Sequence, residues 1–263
     1  MCSKIYRFTL KAPLAFSIIL FFLLSGSLGE LILWSRLKAQ RRFFARLTSF
    51  CCRLLLVVLG VRKTLSGQLS STIKSGRLFL SNHLSYLDIL LISSSFPALF
   101  ITSKEVEKTF FLGRMSRLGG SFFIERRTPA KLLSEIQRIK GAIQEGFDMV
   151  LFPEGTSGNG DAVLPFKKSL LASASGTSSP IQPLCIRYRE INGKEITLKT
   201  RDLVYWYGDM TFFRSFFQLL FKTDRLGVEL ILLPELTAQA HLSESESRKV
   251  IAKEAYEAIS GAY

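Results

Sequence analysis

From residue 76 to residue 190 the chain alternates apolar runs too short for helices with longer stretches of helical periodicity. Leu78–Ser81, Leu99–Thr102, Ser121–Ile124 and Met149–Phe152 each have the length of a buried strand, and Ile181–Tyr188 and Val228–Leu233 continue the series. Between them, Thr128 as N-cap and Pro129 at the first helical position open a helix. Its apolar stripe is Leu132, Leu133, Ile136, Ile139 and Ile143, and Gly146 closes it. Pro165–Ala174 predicts a short helix carrying Lys167 and Lys168, and Ser243 with Glu246 caps a last amphipathic helix. Strands alternating with helices predict an α/β fold: one domain with a mainly buried central sheet flanked by helices.

Three polar clusters fall at the predicted strand ends, where α/β domains build their sites. They are Asn82-His83 with Asp88, Glu125-Arg126-Arg127, and Glu154-Gly155-Thr156. The chain has two histidines, and His241 lies in a polar stretch near the C-terminus, so His83 is the natural imidazole base. Ser85 and Asp88 have the spacing of a capping box with Ser85 as N-cap, which puts His83 in the turn before a helix and Asp88 in its first turn. The helix N-terminus favours an ionised Asp88. The imidazole could then give one N–H to Asp88 and keep its other nitrogen free. The spacing alone equally describes a capping acid beside a strand-end histidine with no chemistry. Arg126 and Arg127 read either as a solvated pair before a helix or as an anion grip, and Glu154 either as a turn residue or as part of a site.

The N-terminal quarter is of a different kind. Ala12–Gly29 runs without a charge behind Lys4, Arg7 and Lys11, and Glu30 interrupts before Leu31–Trp34. This is at the lower limit for a membrane-spanning helix. Ser25, Gly26, Ser27 and Gly29 behind the apolar core would also suit a cleaved signal peptide. A retained anchor is favoured because Phe43–Arg62 is again membrane-like, an amphipathic interfacial helix or the second helix of a shallow hairpin. Of the formal net charge of +14, residues 1–64 carry eleven Lys/Arg against Glu30, a net of +10. Charge concentrated on the apolar segment suits an anionic membrane surface, and no recognition motif for nucleic acid accompanies it. More of it follows the apolar run than precedes it, which puts the downstream part on the cytoplasmic side. The chain thus divides into an anchor, residues 1–64, and a domain, residues 65–263, joined through a polar linker at Thr64–Ser75. Cys2, Cys51, Cys52 and Cys185 have neither zinc-site nor disulfide-framework spacing and read as thiols of a reducing compartment; no metal site is expected.

Taken in order, the clusters resemble the motifs of the glycerolipid acyltransferases, the family of 1-acylglycerol-3-phosphate acyltransferases. His83 and Asp88 match His-x-x-x-x-Asp, and Gly120–Arg126 matches Gly-x-Ile-Phe-Ile-Asp-Arg with Glu125 in place of aspartate. Phe152–Thr156 is Phe-Pro-Glu-Gly-Thr letter for letter, and Ile181–Leu184 is a weaker, proline-containing fourth block. The resemblance implies an acyltransferase domain at 65–263 with His83 as general base and Asp88 as its orienting carboxylate. Arg126, Glu154, Gly155 and Thr156 would bind or shape the acceptor site. Many members have arginine after Gly-Thr, where this chain has Ser157, so Lys104, Arg127, Lys167 and Lys168 are candidates for the missing charge. The implied substrates are a thioester, acyl-CoA or acyl carrier protein, and a lysolipid, foremost 1-acylglycerol-3-phosphate giving phosphatidate. No cofactor is implied beyond the acyl donor. Val163–Lys167 and Trp206–Met210 look instead like the lyso-ornithine lipid branch. The implied location is the cytoplasmic (inner) membrane, catalytic domain on the cytoplasmic face, with membrane lipids as partners.

Two rival functions remain on sequence grounds. One is a non-catalytic lipid-binding protein of the same fold. The other is a thioester or ester hydrolase, weakened by the lack of a Gly-x-Ser-x-Gly elbow. Leu203–Phe221, with Trp206-Tyr207 and Phe212-Phe213-Arg214-Ser215-Phe216-Phe217, suits either a bilayer's headgroup zone or a core element.

Overall fold

A computed structural model describes residues 7–69, 76–125, 129–168, 171, 179–236 and 243–263. It opens with a helical hairpin. A π-helical turn, Arg7–Lys11, leads into α1 (Ala12–Ile32), which a short turn joins to α2 (Leu37–Leu59). The two helices run antiparallel, as Phe21 meets Phe50 and Gly29 faces Phe43. A Cβ on Gly29 would lie 2.1 Å from the Phe43 ring, so the close crossing depends on glycine there. Of the two forms expected for the second segment, the hairpin is therefore the one that forms. Gly60, left-handed at φ +76°, ends α2.

The chain then enters the sheet at once through β1 (Val61–Ser66), which pairs in parallel with β8 (Leu226–Leu232). The division drawn after residue 64 falls inside this strand, and so does the first part of the expected linker; residues 70–75 lie outside the described residues. The other strands are β2 (Leu78–Ser81), β3 (Leu99–Ser103), β4 (Phe122–Ile124), β5 (Met149–Leu151), β6 (Ile181–Ile191) and the short β7 (Lys194–Glu195). Their order in the sheet is β1-β8-β6-β2-β5-β3-β4, with β7 paired to β6. Among the described residues all pairs are parallel except β6 with β8 and β6 with β7. The central strands are buried on both faces, as their unbroken apolar runs require, whereas β8 alternates buried and half-buried residues.

Alternation along the strands sorts the core into two layers. Phe79, Phe100, Val150 and Ile186 face α3 (Leu87–Ser95), the end of α2 and α7 (Phe212–Lys222). Leu78, Leu80, Met149 and Leu151 face α6 (Pro129–Gln144) and α8 (Glu244–Ala262). Ile136, Ile139 and Ile143 of the predicted stripe are buried as expected, while Leu133 is exposed. Ser243 and Glu246 form the reciprocal cap expected for α8. The helix expected over 165–174 does not form across Pro165–Lys167; Lys168 and Leu171 are 3₁₀-helical, and Ser169, Leu170 and 172–174 lie outside the described residues. Instead the backbone N–H of Lys167 donates to the Pro153 carbonyl, which ties this stretch to the preceding loop.

Two short helices, α4 (Lys104–Glu107) and α5 (Phe110–Leu118), connect β3 to β4 and bring Leu118 against α1 at Gly26. Thr9–Ile32 is long and apolar enough to cross a membrane, and only 22% of its most apolar stretch is buried in the protein. Leu20, Leu24, Leu28 and Leu31 form its exposed side.

Candidate active site

The site lies beyond the carboxyl ends of β2 and β5. At the end of β2 the Asn82 side chain takes over the role of the strand: its amide donates to the Ile186 carbonyl at 2.9 Å and accepts the Ile186 N–H at 2.8 Å. The next residue, His83, turns away from the sheet. Its Nδ1 lies 2.8 Å from Asp88 Oδ2, and its ring stacks on Phe152 with centroids 4.0 Å apart. Phe152 ends the apolar run of β5, so the first letter of Phe-Pro-Glu-Gly-Thr is the surface against which the imidazole rests.

Asp88 is fully buried. Its Oδ2 also accepts the backbone N–H groups of Leu84 at 2.6 Å and Ser85 at 2.9 Å, and its Oδ1 accepts the Tyr188 hydroxyl at 2.6 Å. Half of the expected capping box is present, since Asp88 reaches back to the Ser85 N–H. The Ser85 hydroxyl accepts the Leu87 N–H at 3.4 Å rather than that of Asp88 and donates to the Val204 carbonyl at 2.6 Å, and α3 begins one residue later than a Ser85 N-cap would place it. The helix start therefore serves to orient the carboxylate.

Glu154 is 2% exposed. One oxygen accepts the His83 N–H at 2.8 Å and the other the Leu164 N–H at 3.0 Å. Burial pushes its carboxyl up to about 7, against the pull of those two hydrogen bonds, and the nearby Asp88 pushes the same way. Gly155 takes a left-handed φ of +70° in the turn that follows, and Gly158 donates its N–H to the His83 carbonyl at 2.8 Å. The histidine backbone is thus held from both ends of one loop. Ser157, the departure from the family motif noted above, donates its hydroxyl to the Trp206 carbonyl.

The other sequence candidates are less central. Thr156 and Lys167 are exposed, and Lys104 pairs with Glu107 at 3.6 Å beside the cavity residues Thr102 and Val106. Arg126 and Arg127 lie outside the described residues. Sequence reasoning missed Tyr188, whose partner is one hundred residues away, and Phe152 as a ring support.

In front of His83 opens an apolar cavity of about 240 Å³. Its walls come from α1 (Ile18, Phe22), α2 (Cys51, Leu55) and the aromatic residues Trp206 and Phe212. The core reading of the α7 region holds for one face, where Phe216, Leu219 and Leu220 are buried; on the other, Phe213 and Phe217 are exposed, Phe217 beside Phe16 of α1.

An imidazole backed by a buried carboxylate opens here on an apolar cavity, an arrangement chemically able to do general-base work beside a hydrocarbon chain. The acyltransferase family model matches residues 61–187. A lyso-ornithine lipid O-acyltransferase of Brucella abortus is 32% identical over 66% of this chain and 67% of its own length. Its counterpart in Rhizobium meliloti is 31% identical over 68% of this chain, which spans 62% of that protein. A 1-acyl-sn-glycerol-3-phosphate acyltransferase of Neisseria gonorrhoeae is 31% identical over 46% of this chain and 47% of its own. The chain belongs to the acyltransferase family, as its motifs implied. Its fold matches the crystal structure of the 1-acyl-sn-glycerophosphate (LPA) acyltransferase PlsC from Thermotoga maritima with a TM-score of 0.66, at 21% identity and over 99% of this chain and 97% of that one. With an exposed apolar helix of membrane-crossing length, this family member is membrane-associated.

Proposed function

We propose that this protein transfers a fatty acyl group from a thioester, acyl-CoA or acyl carrier protein, to the hydroxyl of a lysolipid at the cytoplasmic face of the inner membrane. The observation that carries the reading is the His83–Asp88 pair opening on the apolar cavity. With Nδ1–H directed at Asp88, Nε2 is free to take the proton of the acceptor hydroxyl as its oxygen attacks the thioester carbonyl. Collapse of the tetrahedral intermediate breaks the C–S bond, and the imidazolium returns its proton to the departing thiolate. Asp88 holds the reactive tautomer and stabilises the imidazolium, while the cavity takes the apolar chain. Base catalysis of this kind supplies about a hundred- to ten-thousand-fold in rate. The excess of basic residues after the apolar helix supports the cytoplasmic orientation.

Lyso-ornithine lipid is the favoured acceptor. The relatives named for it match about two thirds of this chain, and Ser157 is engaged with the Trp206 carbonyl where a phosphate-binding arginine would stand. The second reading, 1-acylglycerol-3-phosphate, has the shorter Neisseria match in its favour. The test is acyl transfer in detergent or vesicles with labelled acyl-CoA and acyl carrier protein, offering both acceptors, with His83→Ala as control. Transfer to either acceptor that is lost in a folded, membrane-bound His83→Ala protein is the expected result. Undiminished transfer by that variant would refute the general-base role.

A further inference from the structure

The two oxygens of Asp88 are held very differently. Oδ2 has three partners, the His83 ring and the N–H groups of Leu84 and Ser85. Oδ1 has the Tyr188 hydroxyl, at 2.6 Å. Tyr188 stands in β6, the strand beside β2 that leads into His83, and both it and Asp88 are buried. Its ring is braced edge-on by Tyr205, with centroids 5.5 Å apart. Among the described residues no lysine or arginine is paired with Asp88. A buried carboxylate without a cation relies on its hydrogen-bond donors, and the loss of one leaves an oxygen unsatisfied.

We propose that Tyr188 is a positioning residue of the acyl-transfer reaction, which fixes the rotation of the Asp88 carboxylate and shares its charge so that Oδ2 meets His83 Nδ1. The inference rests on the acyl-transfer reading. Tyr188 does not line the apolar cavity that His83 faces. It acts on the imidazole only through Asp88. The other titratable groups around the pair are Glu154 from the loop after β5, Tyr205 from the segment before Trp206 and Tyr86 at the start of α3, with Tyr263 beyond Tyr205. Those facing Asp88 are acids, and the cation Arg201 stands beyond Tyr205. Removing the Tyr188 hydroxyl therefore concentrates negative charge on Asp88, with no lysine or arginine paired to it among the described residues, and a proton on the His83–Asp88 pair is held more tightly.

The test is Tyr188→Phe, which keeps the ring and its packing. The acid limb of the kcat/KM profile is expected to move to higher pH by roughly one unit, with kcat down roughly tenfold and KM unchanged. In an Asp88→Asn background the same substitution should cost nothing further, because its effect passes through the carboxylate. Tyr205→Phe, which removes a hydroxyl that does not touch Asp88, should leave the acid limb in place. If Tyr188→Phe does not fold, 3-fluorotyrosine at position 188 keeps the shape and strengthens the donor, and the limb should then move to lower pH. A folded Tyr188→Phe with an unmoved profile, or fluorotyrosine without effect, overturns the inference. Should His83→Ala remain active, it is the general-base reading itself that fails.

Discussion

Glu154 holds its carboxylate away from water, with two backbone N–H groups as its partners at 2.8 and 3.0 Å. Burial raises its titration from 4.5 to about 7, so between these values the folded protein keeps a proton that the unfolded chain has released. Stability must then fall as the pH rises through that window, and the contribution is flat below 4.5 and above about 7. At about 1.4 kcal/mol per pH unit the gap amounts to roughly 3 kcal/mol. For a protein of this size that corresponds to roughly 6–12 °C in Tm. Burial also raises Asp148, which adds a slope of the same sign, so the effect is best read as a difference from Glu154→Gln. Glutamine does not titrate, and its carbonyl can accept only one of the two N–H groups while its NH₂ faces the other. The variant should be less stable at pH 5 by about 1–3 kcal/mol, the cost of one unsatisfied buried donor. That deficit should vanish or reverse by pH 8. The assay is unfolding in mild detergent at several pH values. A difference between the two proteins that stays constant from pH 4.5 to 8 would refute the reasoning.

The remaining predictions concern the anchor and the strand end. Leu24→Asp with Leu28→Asp removes two exposed leucines from α1, each worth roughly 2 kcal/mol on burial in lipid; vesicle flotation should show binding weakened by more than a hundredfold. Asn82→Ala leaves both backbone groups of Ile186 without their partner, so unfolding should show a loss of roughly 2–4 kcal/mol, larger than for an exposed asparagine.

The central strands and the dyad were legible because they depend on neighbours in sequence. Four-residue apolar runs buried on both faces leave little choice but parallel strands, and His83, Asp88 and the helix start lie within a single turn. Features set by distant partners were not legible. β1 carries Arg62, Lys63 and Thr64 in an edge strand and follows the apolar stripe of α2 directly, so it read as a helix end and linker; Gly60 was the available signal. Ser85 looked like an N-cap and its hydroxyl does accept the Leu87 N–H, but nothing near it in sequence showed that it also donates to Val204, 119 residues on. Lys167 was placed on a helix by a proline at its start, but the backbone hydrogen bond to Pro153 holds it in an extended loop. Tyr188 looked like one more residue of a buried strand, because nothing near it in sequence marks its hydroxyl as bound to Asp88.

On the proposed function, the wall that α1 and α2 lend to the cavity would make address and catalysis share the same helices. Ile18, Phe22, Cys51 and Leu55 sit on the helices that would be cut away to make a soluble version, and they also close the space in front of His83. Deleting the hairpin would release the enzyme into solution and unroof its active site in the same stroke. Grafting the hairpin of a relative onto this sheet would exchange the shape of the chamber along with the means of attachment. A solubilised form is better sought by repainting the outward leucines of α1 and leaving the inward face as it stands.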